Sequence, residues 1–292
     1  MEKSLQKKPD RRPRLLLILA LLAFILLWLQ GTQLIEPQNH PVGSAPADLP
    51  AENINFFSYS GHTIHGWFVP GQPGRGAVML LHGYRSDRTS MTERAKFLHA
   101  AGYTVLLFDF QAHGESPGDA ITFGQLESLD AIAAIKYLRH RAPRDKVAVL
   151  GISLGGAAAL LAEPQLRADA YILESVFPTL EQATRNRLDE RLGRSGKHLA
   201  PLLLWQLKPR LGFFPADIRP IEHISKIKQP KLLIAGAADQ KTKLKESRAM
   251  YLAAAEPKQL WVIENARHED LHKFARAIYE QRILEFLQKN LR

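Results

Sequence analysis

The chain has 292 residues, of which 46% are hydrophobic and 23% are charged, so it can form one large domain or two small ones and is neither collagen-like nor wholly disordered. It contains no cysteine, which excludes disulfides, thiolate nucleophiles and cysteine-ligated metal centres. The net charge of +10 alone does not indicate nucleic-acid binding, because we find no helix-turn-helix, zinc-finger or aromatic RNP pattern. We therefore predict no nucleic-acid partner.

The N-terminus combines a basic tail with an apolar segment. Residues 1–14 contain six basic side chains, and residues 15–29 are uninterrupted apolar. Extended to residue 35, the segment reaches the roughly 20 residues that a membrane-spanning helix needs. A cleaved signal peptide is the alternative, but no A-x-A cleavage pattern follows directly. A buried core helix fits poorly, because the segment is apolar on every side. We predict an uncleaved signal anchor over residues 15–35.

The distribution of basic residues predicts the orientation of this anchor. The first basic residue after the apolar segment is Arg75, so the positive-inside rule places residues 1–14 in the cytoplasm and residue 36 onward across the membrane. Residues 36–51 are rich in proline, alanine and polar side chains, which is typical of a linker. The protein is thus expected to be a single-pass membrane protein with an extracytoplasmic domain over residues 52–292.

That domain has the pattern of an α/β fold. Residues 55–60 and 63–69 flank Gly61-His62 and predict a hairpin. Short apolar runs, typical of strands covered on both faces, then alternate with helical spacing. The runs cover 77–83, 104–110, 146–152, 170–175, 231–237 and 260–265. The helical stretches cover 91–102, 123–142, 154–163, 243–255 and 270–290. This alternation predicts a mostly parallel sheet with helices on both faces.

One interval is too long for a single crossover helix. About residues 176–230 separate two predicted strands, and we interpret them as a cap insertion. They are rich in arginine and lysine, and Leu199–Leu207 is an apolar stretch too short to span a bilayer. The stretch could cover a cleft or touch a membrane surface, and we expect Leu203 and Trp205 to contact substrate. An additional helical pair packed on the core is a compatible interpretation.

The most specific motif is Gly151-Ile152-Ser153-Leu154-Gly155, which follows a predicted strand and begins an alanine-rich helix. This is the strand, sharp turn and helix of a nucleophile elbow, in which a strained serine is exposed above the sheet. The two glycines relieve crowding where neighbouring chain segments pass close to the turn. Ser153 is therefore the predicted nucleophile.

A serine nucleophile needs a base and a group that orients the base. His268, in the loop after the last predicted strand, is preferred over His272, which belongs to the last helix. Asp239, at the carboxyl edge of the sheet, is preferred as the acid over Glu174, which ends the preceding strand. For the oxyanion, the predicted donors are the backbone amides of Leu154 and Tyr84.

A competing motif overlaps the base. His268-Glu269-Asp270-Leu271-His272 matches H-E-x-x-H, in which both histidines bind zinc from one face of a helix. The residues before His268 follow a strand and look like a loop, which disfavours this interpretation. A zinc peptidase nevertheless remains an alternative.

With these residues in place, the chain from about Phe56 onward resembles the α/β-hydrolase superfamily, and in particular its single-pass, membrane-anchored serine aminopeptidase-like or acyl-hydrolase-like members. Four segments carry the resemblance: LLHGYRSDR, FDFQAHGESPG, GISLGG and FPADIRPIEHISKIKQPKLLIAGAADQKT. The resemblance implies the same triad of Ser153, Asp239 and His268. The chain departs from the usual family pattern at Gln111-Ala112-His113 and at Gln240-Lys241-Thr242.

The sequence thus predicts a membrane-anchored serine hydrolase that needs no cofactor or metal. It would cleave an ester, thioester or amide through an acyl-enzyme, with a lipid-like or acylated substrate favoured. Its expected partners are that substrate and, through the N-terminal helix, membrane lipid. The alternatives are the zinc peptidase and a non-catalytic, membrane-tethered interaction module that has kept the fold.

Overall fold

The computed structural model describes residues 12–291. Residues 1–11 of the predicted basic tail, which covers residues 1–14, lie outside the described residues. The first helix, α1, covers Arg12–Ile35. Its part Leu16–Ile35 has a mean hydropathy of 2.1 and, within residues 12–291, is the one helix long and apolar enough to cross a bilayer. The predicted span is therefore one continuous helix that the domain leaves largely uncovered.

A central sheet organises the domain. The strands are β1 (Gln38–Asn39), β2 (Glu52–Phe57), β3 (Thr63–Val69), β4 (Ala77–Leu81), β5 (Thr104–Phe108), β6 (His113–Gly114), β7 (Val147–Ile152), β8 (Ala170–Glu174), β9 (Lys231–Gly236) and β10 (Lys258–Ile263). Eight of them form one sheet in the order β10-β9-β8-β7-β4-β5-β3-β2, and β1 pairs with β6 separately. The pairings from β10 to β5 are parallel, whereas β3 pairs antiparallel with both β5 and β2.

Helices cover both faces of this sheet. They are α2 (Thr92–Ala100), α3 (Gln125–Arg141), α4 (Leu154–Leu161), α5 (Leu180–Leu192), α6 (Ala200–Leu204), α7 (Leu207–Leu211), α8 (Pro220–Ile224), α9 (Leu244–Ala253), α10 (Leu271–Phe274) and α11 (Arg276–Asn290). Side chains of the inner strands alternate between two apolar clusters, one shared with α3, α4, α8 and α9 and the other with α2 and α11. Burial on both faces explains the continuous apolar runs in the sequence. The predicted α/β fold, with a mostly parallel sheet and helices on both faces, is confirmed.

The long interval between β8 and β9 is occupied by α5, α6, α7 and α8, with short 3-10 turns at Gly196–Leu199 and Pro215–Asp217. These elements lie within the predicted cap, residues 176–230. Because parallel strands place all their carboxyl ends at one edge of the sheet, the loops after β4, β7, β9 and β10 meet at that edge. The cap follows β8 and therefore leaves the sheet from the same edge.

Two segments differ from the sequence prediction. Residues 36–51 are not a free tether, because β1 pairs with β6, and Gln38 and His40 donate backbone hydrogen bonds to the carbonyls of Ala112 and Gly114 at 2.8 and 2.9 Å. A two-residue strand whose partner lies about 75 positions away leaves no periodic signal. The predicted C-terminal helix is divided at Ala275, whose backbone (φ −131°, ψ 41°) is not helical.

Candidate active site

Ser153 lies at the turn between β7 and α4 in a strained conformation, with φ 49° and ψ −108°. A positive φ is costly for a residue with a Cβ and persists only where the surroundings impose it. The flanking glycines make the turn possible. A Cβ built on Gly151 would lie 2.6 Å from the amide nitrogen of Gly156, and one built on Gly155 would lie 2.4 Å from the carbonyl oxygen of Leu81. No other residue type fits these two positions without displacing backbone.

The loop after β4 approaches this turn because β4 and β7 are neighbours, with Leu81 in register with Gly151. A Cβ built on Gly83 would lie 4.0 Å from the Cβ of Ser153. The two predicted oxyanion donors flank this contact, since Tyr84 follows Gly83 and Leu154 is the first residue of α4. The amino end of a helix also favours a developing negative charge. The donor role of both amides stays a prediction.

His268 and Asp239 form a hydrogen-bonded pair in the loops after the adjacent strands β10 and β9. The Nδ1 of His268 lies 2.8 Å from Oδ2 of Asp239, and the two side chains are 18% and 1% exposed. The other oxygen, Oδ1, accepts the backbone N–H groups of Lys241 and Thr242, both at 2.8 Å. Because a carboxylate can only accept, Nδ1 carries the hydrogen and Nε2 is left as the basic nitrogen. This is the tautomer that a general base for a serine hydroxyl requires.

Contacts through the end of β8 connect this pair to Ser153. The amide of Ser153 donates to the carbonyl of Glu174 at 2.8 Å, and the hydroxyl of Thr242 donates to the carbonyl of Ser175 at 3.1 Å. Ser153 and the loop that holds Asp239 are therefore attached to two consecutive residues, Glu174 and Ser175. The predicted serine, acid and histidine all lie at the carboxyl edge of the sheet.

The rival acid, Glu174, is fully buried and has other partners. The guanidinium of Arg94 lies 3.0 Å from Oε1 of Glu174, and the hydroxyl of Tyr279 donates to Oε2 at 2.7 Å. Burial raises the pKa of the Tyr279 phenol, which therefore stays a donor. Glu174 thus belongs to an internal ion-pair network, and Asp239 is the carboxylate that orients His268.

The H-E-x-x-H pattern does not form the helix that zinc binding requires. Helix α10 begins at Leu271, so His268 precedes it, whereas His272 lies inside it and its Nε2 is 2.8 Å from Oε1 of Glu280. Among residues 12–291, no group of three or more histidine, aspartate and glutamate side chains is placed to hold a metal ion. The two histidines belong to different local structures.

Two further histidines near the site are structural. His82 is buried, its Nδ1 lies 2.8 Å from the carbonyl of Gly83, and its Nε2 accepts the amide of Phe110 at 3.1 Å. Burial lowers the pKa of His82 to about 3, so the ring is neutral and can both donate and accept. His113, whose pKa burial also lowers, accepts the amide of Arg85 at 3.3 Å. These rings hold the loops after β4 and β5 together beside the elbow.

The cap lies next to the loop that contains Asp239. Asn186 of α5 donates to the carbonyl of Lys241 at 3.1 Å, two residues beyond Asp239. In the apolar stretch of the cap, Leu203 is buried, whereas Trp205 is 61% exposed. Their contact with substrate stays a prediction.

Comparisons with known proteins agree with this fold. A protein-family model described as "Serine aminopeptidase, S33" matches residues 72–209. An uncharacterized protein of Mycobacterium tuberculosis, Rv2307c, is 31% identical over 272 residues, which cover 89% of this chain and 90% of that protein. The chain belongs to the α/β-hydrolase superfamily. The Arabidopsis thaliana protein WAV2, described as α/β-hydrolase domain-containing, is 26% identical over 86% of this chain and 83% of its own length.

Solved structures place this α/β-hydrolase near esterases. The Pyrococcus furiosus esterase Pf2001 superposes with a TM-score of 0.72 at 25% identity, covering 89% of this chain and 99% of the esterase chain. An esterase of Exiguobacterium antarcticum, with a TM-score of 0.59 and 17% identity, shares the fold. The family and these neighbours support a hydrolase.

Sequence reasoning missed one set of contacts in this α/β-hydrolase. The hydroxyl of Tyr84 donates to the carbonyl of Leu34 at 2.6 Å, and the amide of Ile121 donates to the carbonyl of Ile35 at 2.8 Å. The last turn of α1 thus contacts the loop that carries the predicted oxyanion donor. No local pattern could have revealed this, because the partners lie 50 or more positions apart.

Proposed function

We propose that this α/β-hydrolase is a membrane-anchored serine hydrolase that cleaves an ester, thioester or amide through an acyl-enzyme on Ser153. The observation that carries the proposal is the hydrogen bond between His268 and the buried Asp239, formed at the sheet edge where Ser153 is held at φ 49°. A strained serine and an oriented histidine at one edge are the parts that nucleophilic acyl transfer requires.

In the proposed reaction, the Oγ of Ser153 attacks the substrate carbonyl carbon while Nε2 of His268 takes the hydroxyl proton. The oxyanion receives hydrogen bonds from the amides of Leu154 and Tyr84, and Asp239 stabilises the imidazolium. The tetrahedral intermediate collapses, the C–O, C–S or C–N bond to the leaving group breaks, and the imidazolium returns its proton to that group. Water, deprotonated by His268, then attacks the acyl carbon, the bond to Oγ of Ser153 breaks, and the imidazolium returns its proton to Oγ as the acid leaves.

The membrane part of the proposal rests on α1 and on the basic tail before it. A 20-residue apolar helix with a mean hydropathy of 2.1 suits a bilayer span, and the six basic residues before it favour a cytoplasmic N-terminus. The domain would then lie on the extracytoplasmic side. A domain tethered at the membrane, with an apolar stretch in its cap, favours a lipid-like or acylated substrate.

Labelling with a fluorophosphonate tests the serine mechanism. We expect the full chain in detergent to be labelled, and Ser153→Ala to abolish labelling without loss of folding. Ser225→Ala is the matched control, because Ser225 lies in the cap and its hydroxyl only donates to the carbonyl of Glu222. Equal labelling of wild type and Ser153→Ala would refute the proposal.

Substrate preference is tested with esters of graded acyl length. If the substrate is lipid-like, kcat/KM of the full chain should increase with chain length. A flat or falling profile would exclude a lipid-like acyl group while leaving the serine mechanism intact.

The orientation can be tested because the chain has no native cysteine. A cysteine at the exposed Ser44 should react with a membrane-impermeant maleimide in intact cells. A cysteine at Ser4, in the basic tail, should react only after permeabilisation. The reverse pattern would place the domain in the cytoplasm.

A further inference from the structure

The last turns of α1 are fixed to the cap by side-chain contacts. The Nε2 of Gln206 donates to the carbonyl of Leu27 at 3.0 Å, and Nη1 of Arg210 donates to the hydroxyl of Thr32 at 2.9 Å. The Arg210 guanidinium also stacks on the Trp28 ring, 3.9 Å from its centre. The cap and the helix are therefore held together over Leu27–Thr32.

A glycine permits this close approach. A Cβ built on Gly31 would lie 2.2 Å from Oε1 of Gln206. Gly31 is buried, although residues 16–26 of α1 are exposed. The contact is thus a packed interface between α1 and the segment that contains α6 and α7.

The position of this interface along α1 has a consequence for depth in the membrane. The apolar segment Leu16–Ile35 has 20 residues, and all of them are needed to cross a hydrocarbon core of about 30 Å at a rise of about 1.5 Å per residue. Leu27 lies eight residues before the end of that segment and Thr32 lies three, which corresponds to depths of about 12 Å and about 4.5 Å. Cap residues that contact these turns must then enter the leaflet on the side of the domain.

The surface of the cap at this place is suited to lipid. Four large apolar side chains between residues 199 and 214 are exposed by 41% to 61%. They are Leu199, Leu202, Trp205 and Phe214. Tryptophan is enriched at the boundary between headgroups and acyl chains, and amphipathic helices bury their apolar faces about 5–10 Å into that boundary. The exposed Lys208 lies between Trp205 and Phe214, and a basic side chain at such a boundary can extend toward headgroups.

We propose that α6 and its flanking turns dock in the domain-side leaflet next to α1, with Leu202 and Trp205 in contact with lipid. This inference rests on the membrane anchoring proposed above, and its occupant is the bilayer itself. Since Tyr84 beside the elbow binds the carbonyl of Leu34 on the same helix, docking holds the active site at the membrane surface. The substrate is then an acylated molecule whose acyl chain lies in that leaflet.

Tryptophan quenching tests the docking directly. The chain has four tryptophans, and Trp67 and Trp261 are buried, at 1% and 8% exposure. Trp28→Phe therefore leaves Trp205 as the exposed reporter. In phosphatidylcholine vesicles, replacing the lipids by acyl-brominated ones should reduce the emission of full-length Trp28→Phe protein and should leave Trp28→Phe/Trp205→Phe unchanged. Equal emission of Trp28→Phe protein in both lipids would overturn the proposal.

A charge substitution tests the link to substrate. In vesicles, Leu202→Glu should reduce hydrolysis of a bilayer-embedded long-chain ester about tenfold or more, while hydrolysis of a soluble short-chain ester and fluorophosphonate labelling are unchanged. Leu252→Glu is the matched control, because Leu252 is 76% exposed on α9, and both activities should persist.

The outcomes separate the two proposals. Equal activity of Leu202→Glu and wild type on the embedded ester, or equal loss on both esters, would contradict delivery of substrate from the leaflet. Failure of the wild type to react with fluorophosphonate would refute the serine mechanism, and the bromolipid measurement would still decide the docking.

Discussion

The role of Asp239 leads to a sharp prediction for Asp239→Asn, which changes one atom of a buried group. The carboxylate accepts from Nδ1 of His268 through Oδ2 and from the amides of Lys241 and Thr242 through Oδ1. An asparagine has only one acceptor oxygen, so it cannot serve both sides. The substitution must either disturb the imidazole or leave two backbone donors without an acceptor.

We expect the amide oxygen of the asparagine to keep the two backbone hydrogen bonds. If the amide oxygen faces Lys241 and Thr242, the amide NH₂ donates to His268, so Nδ1 loses its hydrogen and Nε2 gains one. That tautomer cannot take the Ser153 proton. Turning the amide restores the tautomer but leaves two N–H groups unpaired, at a cost of about 1–3 kcal/mol each. The fraction of molecules with the active tautomer is then reduced by about 30-fold to 10⁴-fold. With the stabilisation of the imidazolium also lost, we expect a decrease in kcat of about 10³–10⁴.

The assay is the steady-state hydrolysis of a short-chain ester by the full chain, with folding checked by circular dichroism. Glu174→Gln is the control, because Glu174 binds Arg94 and Tyr279 and not His268. We expect it to retain activity per folded molecule within about tenfold of wild type. Folded Asp239→Asn with kcat within tenfold of wild type would refute the proposed role of this carboxylate.

Three more outcomes follow from buried contacts. Arg94→Met removes the cationic partner of the buried Glu174 and should lower the free energy of unfolding in urea by about 3–5 kcal/mol; a loss below 1 kcal/mol would contradict the network. Gly155→Ala places a Cβ 2.4 Å from the Leu81 carbonyl and should reduce the rate of fluorophosphonate labelling about 100-fold by moving the elbow; an unchanged rate would count against the crowding. Burial depresses the pKa of His82 to about 3 from an unfolded value of 6.5, so the folded state binds fewer protons between those values. The contribution of the His82 ring to the free energy of unfolding is complete above pH 6.5 and decreases as the pH falls, by about 2 kcal/mol at pH 5. In urea unfolding of His82→Gln, the free energy of unfolding should therefore change less steeply with pH, by about one proton.

Local sequence patterns determined much of the fold. The six apolar runs correspond to the parallel strands β4, β5, β7, β8, β9 and β10, because burial on both faces requires an uninterrupted apolar strand. The elbow was also predictable from local sequence, because its two glycines relieve steric crowding beside Ser153. The apolar segment of α1 was predicted from the number of consecutive apolar residues alone.

Tertiary structure decided what depends on partners far apart in the chain. Glu174 ends β8 and Asp239 follows the end of β9, so both carboxylates lie at the carboxyl edge of the sheet. The packing of Arg94 and Tyr279 around Glu174 leaves Asp239 as the partner of His268. Which side chains pair depends on which elements lie next to each other in the fold. The order of the strands in the sheet cannot be predicted from any single segment of the sequence.

The same reason applies to the membrane-proximal end. The contacts of α1 with the cap and with the loop after β4 join residues 50 to about 180 positions apart. Sequence alone identified an apolar helix and an apolar stretch in the cap as separate features. Their packing against one another is long-range, so hydropathy and spacing carry no information about it, and only the folded chain shows that they form one surface.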